Sequence, residues 1–261
     1  MKEPAGIYVH IPFCQRKCEY CDFHSIVVND HSQFLEVVDS YLCALKQEAH
    51  WYAHWTESYQ FTTLYVGGGT PSLVPAEQLA ELIAFLKALY QLPPEAEVTC
   101  EANPKTLSAA GLAVMREAGV NRISLGAQAF QDPLLRALGR VHCSADIYAS
   151  VEALHRAGMA NYNLDLMFGL PGQTLADWQE TLERACRLNP PHLSCYSLII
   201  EEDTPFYRAF HQGLLDLPGE DLEADMFQLT QDYLTGMGYH HYEVSNFAKP
   251  GFECAHNLHY W

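Results

Sequence analysis

The sequence predicts an α/β fold, a partial parallel (β/α)6 barrel. Six short apolar runs with strand character alternate with amphipathic helical stretches, and no linker or low-complexity tract interrupts them. Strand, helix, strand, repeated, gives a parallel sheet. Six repeats favour an open barrel over a closed eight-stranded one, with a doubly wound sheet as the alternative. A chain of 261 residues, 49% hydrophobic, is long enough to bury the core of one such unit.

The strand candidates, in order, are Gly6 to Pro12, Thr62 to Gly67, Glu97 to Ala102, Arg122 to Ala127, Tyr162 to Phe168 and His192 to Ile199. Between them Phe34, Val37, Val38, Tyr41, Leu42 and Leu45 recur at helical spacing, as do Leu79, Leu82, Ile83, Leu86 and Leu89, so each stretch predicts a helix with one buried face. Asp132 before Pro133 has the form of an N-cap followed by proline at the first helical position, and Asn189-Pro190-Pro191 stops the helix that starts near Leu175. Leu214 to Gly219 reads as a joint before a final helix from about Asp221 to Leu234. The expected organisation is a core barrel over residues 1–213 and a C-terminal appendage over 214–261.

Thirty-two acidic against fifteen basic side chains leave a net charge of -17, which repels phosphate backbones and anionic lipid surfaces and argues against nucleic acid as a partner. The N-terminus has no apolar run of signal-peptide length, and no stretch approaches the roughly 20 apolar residues that span a bilayer. Nine cysteines, three of them crowded into eight residues, are unlike a secreted disulfide framework. The expectation is a cytoplasmic protein with reduced thiols.

The sharpest chemical signal is Cys14-Gln-Arg-Lys-Cys18-Glu-Tyr-Cys21, a C-x3-C-x2-C run directly after the first strand. Thiolates are soft ligands that suit zinc or iron-sulfur clusters. A structural zinc site takes four protein ligands. The local sequence offers no fourth cysteine, since Phe23 stands where a C-x-C extension would put one, so a zinc-binding structural module would need His10 or His24 to complete it. Gly67-Gly68-Gly69-Thr70-Pro71-Ser72 follows the second strand, where glycines let backbone approach a ligand, although a tight strand-to-helix turn explains the motif equally well by itself. No Gly-Lys-Ser/Thr follows, which removes a P-loop reading. Glu101, Gln128 and Asp165 are expected at the C-terminal ends of successive strands, where barrel proteins build their sites, and Arg140 follows shortly after Gln128. A carboxylate accepts from ammonium or hydroxyl groups, and an arginine pairs with a carboxylate.

The cysteine spacing resembles that of the radical-SAM superfamily, whose clusters occupy a loop after the first barrel strand. The resemblance implies a 4Fe-4S cluster on Cys14, Cys18 and Cys21, with the open iron chelating the amino and carboxylate groups of S-adenosylmethionine before reductive cleavage to a 5'-deoxyadenosyl radical. The glycine motif then resembles that family's GGE-like loop at the methionyl end of the cofactor. Tyr8 through Phe23, GGGTPS, EANP, RISLGAQ, LGRVH, NLDLMFGLPGQT and the terminal HNLHYW narrow the resemblance to the oxygen-independent coproporphyrinogen III oxidase-like family, over nearly the whole chain. By position, Tyr8, Tyr20, Gly68, Gly69, Thr70, Glu101, Gln128, Arg140 and Asp165 match its cofactor contacts, and Ile199 matches through backbone and packing.

Two departures separate the chain from the oxidases of that family: Phe23 replaces their fourth cysteine, and Tyr8 lies too near the start for their N-terminal extension. Both argue against decarboxylation. His256-Asn257-Leu258-His259-Tyr260-Trp261 resembles the H-N-x-x-Y-W motif of the HemW-type heme chaperone branch. That resemblance implies heme as a ligand, with His256 on its iron, delivery to an acceptor protein in the cytoplasm or at a membrane, and a C-terminal region truncated at Trp261. Imidazole is a common axial ligand, aromatic rings wall a porphyrin face, and His240, His241 and His259 compete for the iron.

Overall fold

The computed structural model describes residues 2–28 and 30–261. Strand β1 (Glu3–Ile11) leads into the cysteine loop, which is pinned by the two-residue strands β2 (Phe13–Cys14) and β3 (Ile26–Val27). Helix α1 (His31–Ala53) precedes β4 (Tyr59–Gly68), then α2 (Ala76–Leu89), β5 (Glu97–Ala102), α3 (Ala109–Glu117) and β6 (Arg122–Gln128). Two helices, α4 (Asp132–Ala137) and α5 (Ser144–Arg156), separate β6 from β7 (Tyr162–Phe168); α6 (Leu175–Arg187) precedes β8 (His192–Ser197). The chain ends through α7 (Pro205–His211), α8 (Glu220–Gly236), β9 (His240–His241), β10 (Asn246–Ala248) and α9 (Ala255–Leu258).

The main sheet has the order β1-β4-β5-β6-β7-β8-β10-β9. Its first six strands are parallel and lie in chain order, as expected of a β/α repeat. β10 then adds antiparallel to β8, and β9 antiparallel to β10. The pattern did not reveal these last two, because strands of two and three residues are too short to show a period.

Alternation along the strands assigns the two faces. Leu64 and Val66, Val98 and Cys100, Ile123 and Leu125, Leu164 and Leu166, and Leu193 and Cys195 are buried in one core with helix residues such as Val38, Leu82, Leu112, Val151 and Leu182. The intervening residues, including Tyr65, Glu101, Ser124, Asp165 and Ser194, are polar and face the concave side. Parallel sheets covered on both faces ordinarily read as unbroken apolar runs. Here polar residues recur at alternate positions, so the sheet curls around a polar lumen.

Residues beyond 213 join the same core, through Met226, Leu234, Tyr239 and Phe247. The fully buried Trp178 of α6 donates its indole N–H to Thr230 Oγ1 at 2.9 Å and to the Met226 carbonyl at 3.1 Å, fastening α8 to the barrel. Tyr239 adds a 2.6 Å bond to the Pro190 carbonyl.

Candidate functional site

The cysteine loop is seated on the glycine motif. Gly69 N–H donates to the Ile11 carbonyl at 2.8 Å and Thr70 N–H to the Phe13 carbonyl at 2.7 Å, so the chain leaving β4 grips the chain leaving β1. A Cβ at Gly69 would stand 2.7 Å from the Phe13 oxygen and 3.0 Å from Cys14 Sγ, closer than real Cβ atoms approach, so the seat exists only because residue 69 lacks a side chain. Gly68, at φ 114°, turns its N–H onto Glu101 Oε2 at 3.0 Å.

Cys14, Cys18 and Cys21 are partly exposed around one end of a cavity of ≈ 300 Å³, with Phe23, 59% exposed, on the same rim. Arg140 reaches across from the loop after α4. It donates to Cys18 Sγ at 3.5 Å, to Asn103 Oδ1 at 2.5 Å and to the Gly126 carbonyl at 2.9 Å. The contact brings a fixed positive charge up to the cysteine loop. Burial raises the Cys21 thiol above its ordinary range.

The same cavity gathers Tyr20, Gly68, Gly69, Thr70, Glu101, Gln128, Arg140 and Asp165, eight of the ten positions expected to meet the cofactor. The other two lie apart from it. Tyr8 is about half exposed on β1, stacked on Tyr65 with ring centroids 6.1 Å apart, and Ile199 is 67% exposed, two residues past the end of β8. Asp165 sits in the middle of β7 and therefore deep in the lumen. Gln128 owes its position to a register shift between β6 and β7 together with a left-handed φ of 68°, which turn its amide inward to accept from the Tyr196 hydroxyl at 2.9 Å.

The carboxylates here are held by neutral donors. Tyr65 O–H donates to Glu101 Oε1 at 2.8 Å, while Asn163 and Ser124 donate to Asp165 at 2.7 and 3.1 Å. Burial, and then the charge of Asp165, push the Glu101 carboxyl up to about 7; burial raises Asp165 as well.

Below the cavity the C-terminal segment crosses the lumen. Glu97 accepts from Ala255 N–H, His256 N–H and Cys254 Sγ at 3.1, 3.0 and 3.3 Å. His256 is 5% exposed, its Nδ1 lies 2.8 Å from Thr63 Oγ1, and its Nε2 has no partner among the described residues. Burial, and then His259, lower its imidazolium to about 4, so the ring is neutral at physiological pH. Tyr65 and Tyr260 flank it at ring-centroid distances of 5.0 and 5.9 Å. The other histidines are placed differently: His241 stacks on Phe247 at 4.3 Å, His259 contacts Thr62 Oγ1 at 3.1 Å, and His240 is exposed on β9.

Sequence reasoning missed Asn103, which donates to Thr70 Oγ1 at 2.8 Å and so links the glycine motif to Arg140. It also missed Tyr65, Ser124, Tyr196 and Arg122. Their signal was parity: Thr99 and Glu101, Arg122 and Ser124, Asn163 and Asp165, Ser194 and Tyr196 are all two apart, and each pair shares one strand face.

Comparisons with known proteins agree with this geometry. Residues 8–185 match the radical SAM superfamily model. The chain is 41% identical over 261 residues to the heme chaperone HemW of Lactococcus lactis subsp. lactis (strain IL1403), covering 100% of this chain and 66% of that protein. It is 42% identical over 255 residues to the heme chaperone HemW of Bacillus subtilis (strain 168), covering 97% of this chain and 66% of the relative. Among solved structures, the coproporphyrinogen III oxidase HemN of Escherichia coli, described as a radical SAM enzyme, aligns with a TM-score of 0.84 and 31% identity over 97% of this chain and 57% of that one. The chain thus spans slightly less than two thirds of the curated relatives it matches.

Proposed function

The chain belongs to the radical SAM superfamily, and from its similarity to the HemW heme chaperones we propose that it is a heme-binding chaperone that carries a 4Fe-4S cluster and S-adenosylmethionine and passes heme to an acceptor protein. Cys14, Cys18 and Cys21 would hold the cluster, and the donor set fits: three soft thiols, a cationic Arg140 against one of them, and Phe23 where a fourth would be. When bound, such a cluster supplies an open iron for the amino and carboxylate groups of S-adenosylmethionine and the electron that cleaves it. The chain's own work is to bind and orient. Glu101 and Asp165 offer acceptors to ammonium and hydroxyl groups, Arg140 offers a cationic donor, the side-chain-free Gly68 and Gly69 leave room for close approach, and Tyr20 walls the site. Tyr8 and Ile199 would meet the cofactor only from the rim.

The observation that carries the heme reading is His256. It is a neutral imidazole with an unpartnered Nε2, flanked by Tyr65 and Tyr260, which is the ligating form in an aromatic setting. Because it is buried, heme would gain the ring only when α9 swings away from its Glu97 anchor on β5. Titration of the chain with hemin, followed by absorbance, tests the assignment. His256→Ala should weaken binding and change the Soret band; an unchanged affinity and spectrum would show that another group is the ligand. Failure of the unsubstituted chain to bind hemin would remove the chaperone reading. Nine free cysteines support a reducing, cytoplasmic setting. No helix among the described residues is long and apolar enough to cross a membrane.

One observation favours a second reading, an oxidase of porphyrin biosynthesis: the polar lumen keeps its carboxylates and arginines. Anaerobic incubation with dithionite, S-adenosylmethionine and coproporphyrinogen III decides it. A decarboxylated product with stoichiometric deoxyadenosine would establish oxidase activity despite Phe23.

A further inference from the structure

Arg122 is 2% exposed on the lumen face of β6, and among the described residues no acceptor or ion-pair partner reaches its guanidinium; its Nε is fully enclosed with nothing to donate to. A buried unpaired cation is among the costliest arrangements in a folded protein. Cys254 and Glu97 favour the charge from a distance, but among the described residues no carboxylate comes within ion-pair reach of the guanidinium. Glu97 is committed to the amides of Ala255 and His256, Asp165 to Ser124 and Asn163, and Glu101 to Tyr65 and Gly68.

The guanidinium borders a second cavity of ≈ 300 Å³, which also presents the side chains of Ser194, Asn246 and Asn257. This cavity shares Ser124, Asp165 and Tyr196 with the one beneath the cysteine loop, so the two are stacked compartments of one lumen. We propose that Arg122 anchors a carboxylate-binding subsite on the lumen floor. A single buried guanidinium balances one negative charge, and its planar fork matches a carboxylate held by two parallel bonds. The surrounding amides and hydroxyls complete the acceptor's remaining lone pairs. A multiply charged phosphate would meet Asp165 with no second cation to offset it. The occupant is either a small organic acid or one carboxylate arm of a larger ligand whose body lies higher in the lumen.

The test uses the whole chain with two probes: propionate, and deuteroporphyrin compared with its dimethyl ester. Propionate should raise the melting temperature of the unsubstituted chain and leave Arg122→Gln and Arg122→Met unmoved. Esterification should weaken porphyrin binding about tenfold, the scale of one lost charge-assisted pair, in the unsubstituted chain only. A response to propionate without porphyrin binding supports the small-acid source and counts against the heme reading alone, because only the porphyrin arm rests on it. Variants that fold and keep both responses would overturn the subsite. Should neither variant fold, the Arg122 Nε–H resonance of the unsubstituted chain decides: it should shift with propionate and not with propionamide, and a signal indifferent to both would equally overturn the subsite.

Discussion

Glu101 holds its proton to about 7 because burial, and then the charge of Asp165, penalise the carboxylate by more than Tyr65 and Gly68 stabilise it. The raised value fixes the sign of a stability effect. The folded state binds more protons than the unfolded one between the ordinary carboxyl value of 4.5 and about 7, so stability is fully present below that window and falls as pH rises through it. The loss amounts to about 3–4 kcal/mol, since a tenfold change in proton affinity corresponds to about 1.4 kcal/mol. Glu101→Gln, which cannot ionise, should show a flatter decline of melting temperature across the window; an identical slope would place the titration elsewhere. At this scale the sequence was informative wherever a residue type has few uses. Three cysteines in eight residues stood out by spacing, and Glu101, Gln128, Arg140 and Asp165 by their places in the family blocks; all seven line one cavity. Arg122 and Asn103 did not, because an arginine or asparagine in isolation is usually a surface residue, and only the lumen gives these two their meaning.

Elements were legible where they are long. The six parallel strands and the helices between them carry enough residues for hydrophobic period to separate strand from helix. What periodicity could not show is how one element seats another. Gly69 is the clearest instance: its importance lies in the Phe13 oxygen and Cys14 sulfur standing within 3.0 Å of where a Cβ would be. Gly69→Ala should displace the cysteine loop, cost about 1–3 kcal/mol as overpacking does, and lower the iron and sulfide retained after anaerobic reconstitution. A variant that retained a full complement of both would show that the loop tolerates the extra methyl group.

For the molecule as a whole, the main question is what closes the lumen. β10 extends the sheet at its β8 edge, and the following residues return across the interior to β4 and β5, where Thr63 and Glu97 receive them. Glu97 is the bolt, with three contacts from Cys254, Ala255 and His256. Glu97→Gln replaces charge-assisted bonds, each worth about 1.5–3 kcal/mol, with weaker neutral ones. The amides of Ala255 and His256 should then exchange with deuterium at least tenfold faster while those of β5 to β7 keep their protection, and hemin should bind faster. Unchanged exchange at those two amides would mean that the segment is held by packing.

The strand order also bears on synthesis. Because the first six strands lie in the sheet as they lie in the chain, a polypeptide growing from its N-terminus always adds the next strand to an edge already formed. The cysteine loop and its glycine seat, both complete by residue 72, are therefore made early, and the residues that bar the lumen, 246–256, are made after all six parallel strands. For the interval in between, the nascent barrel is a vessel with its cysteine-loop end built and its floor still missing, open to whatever enters before that floor is translated.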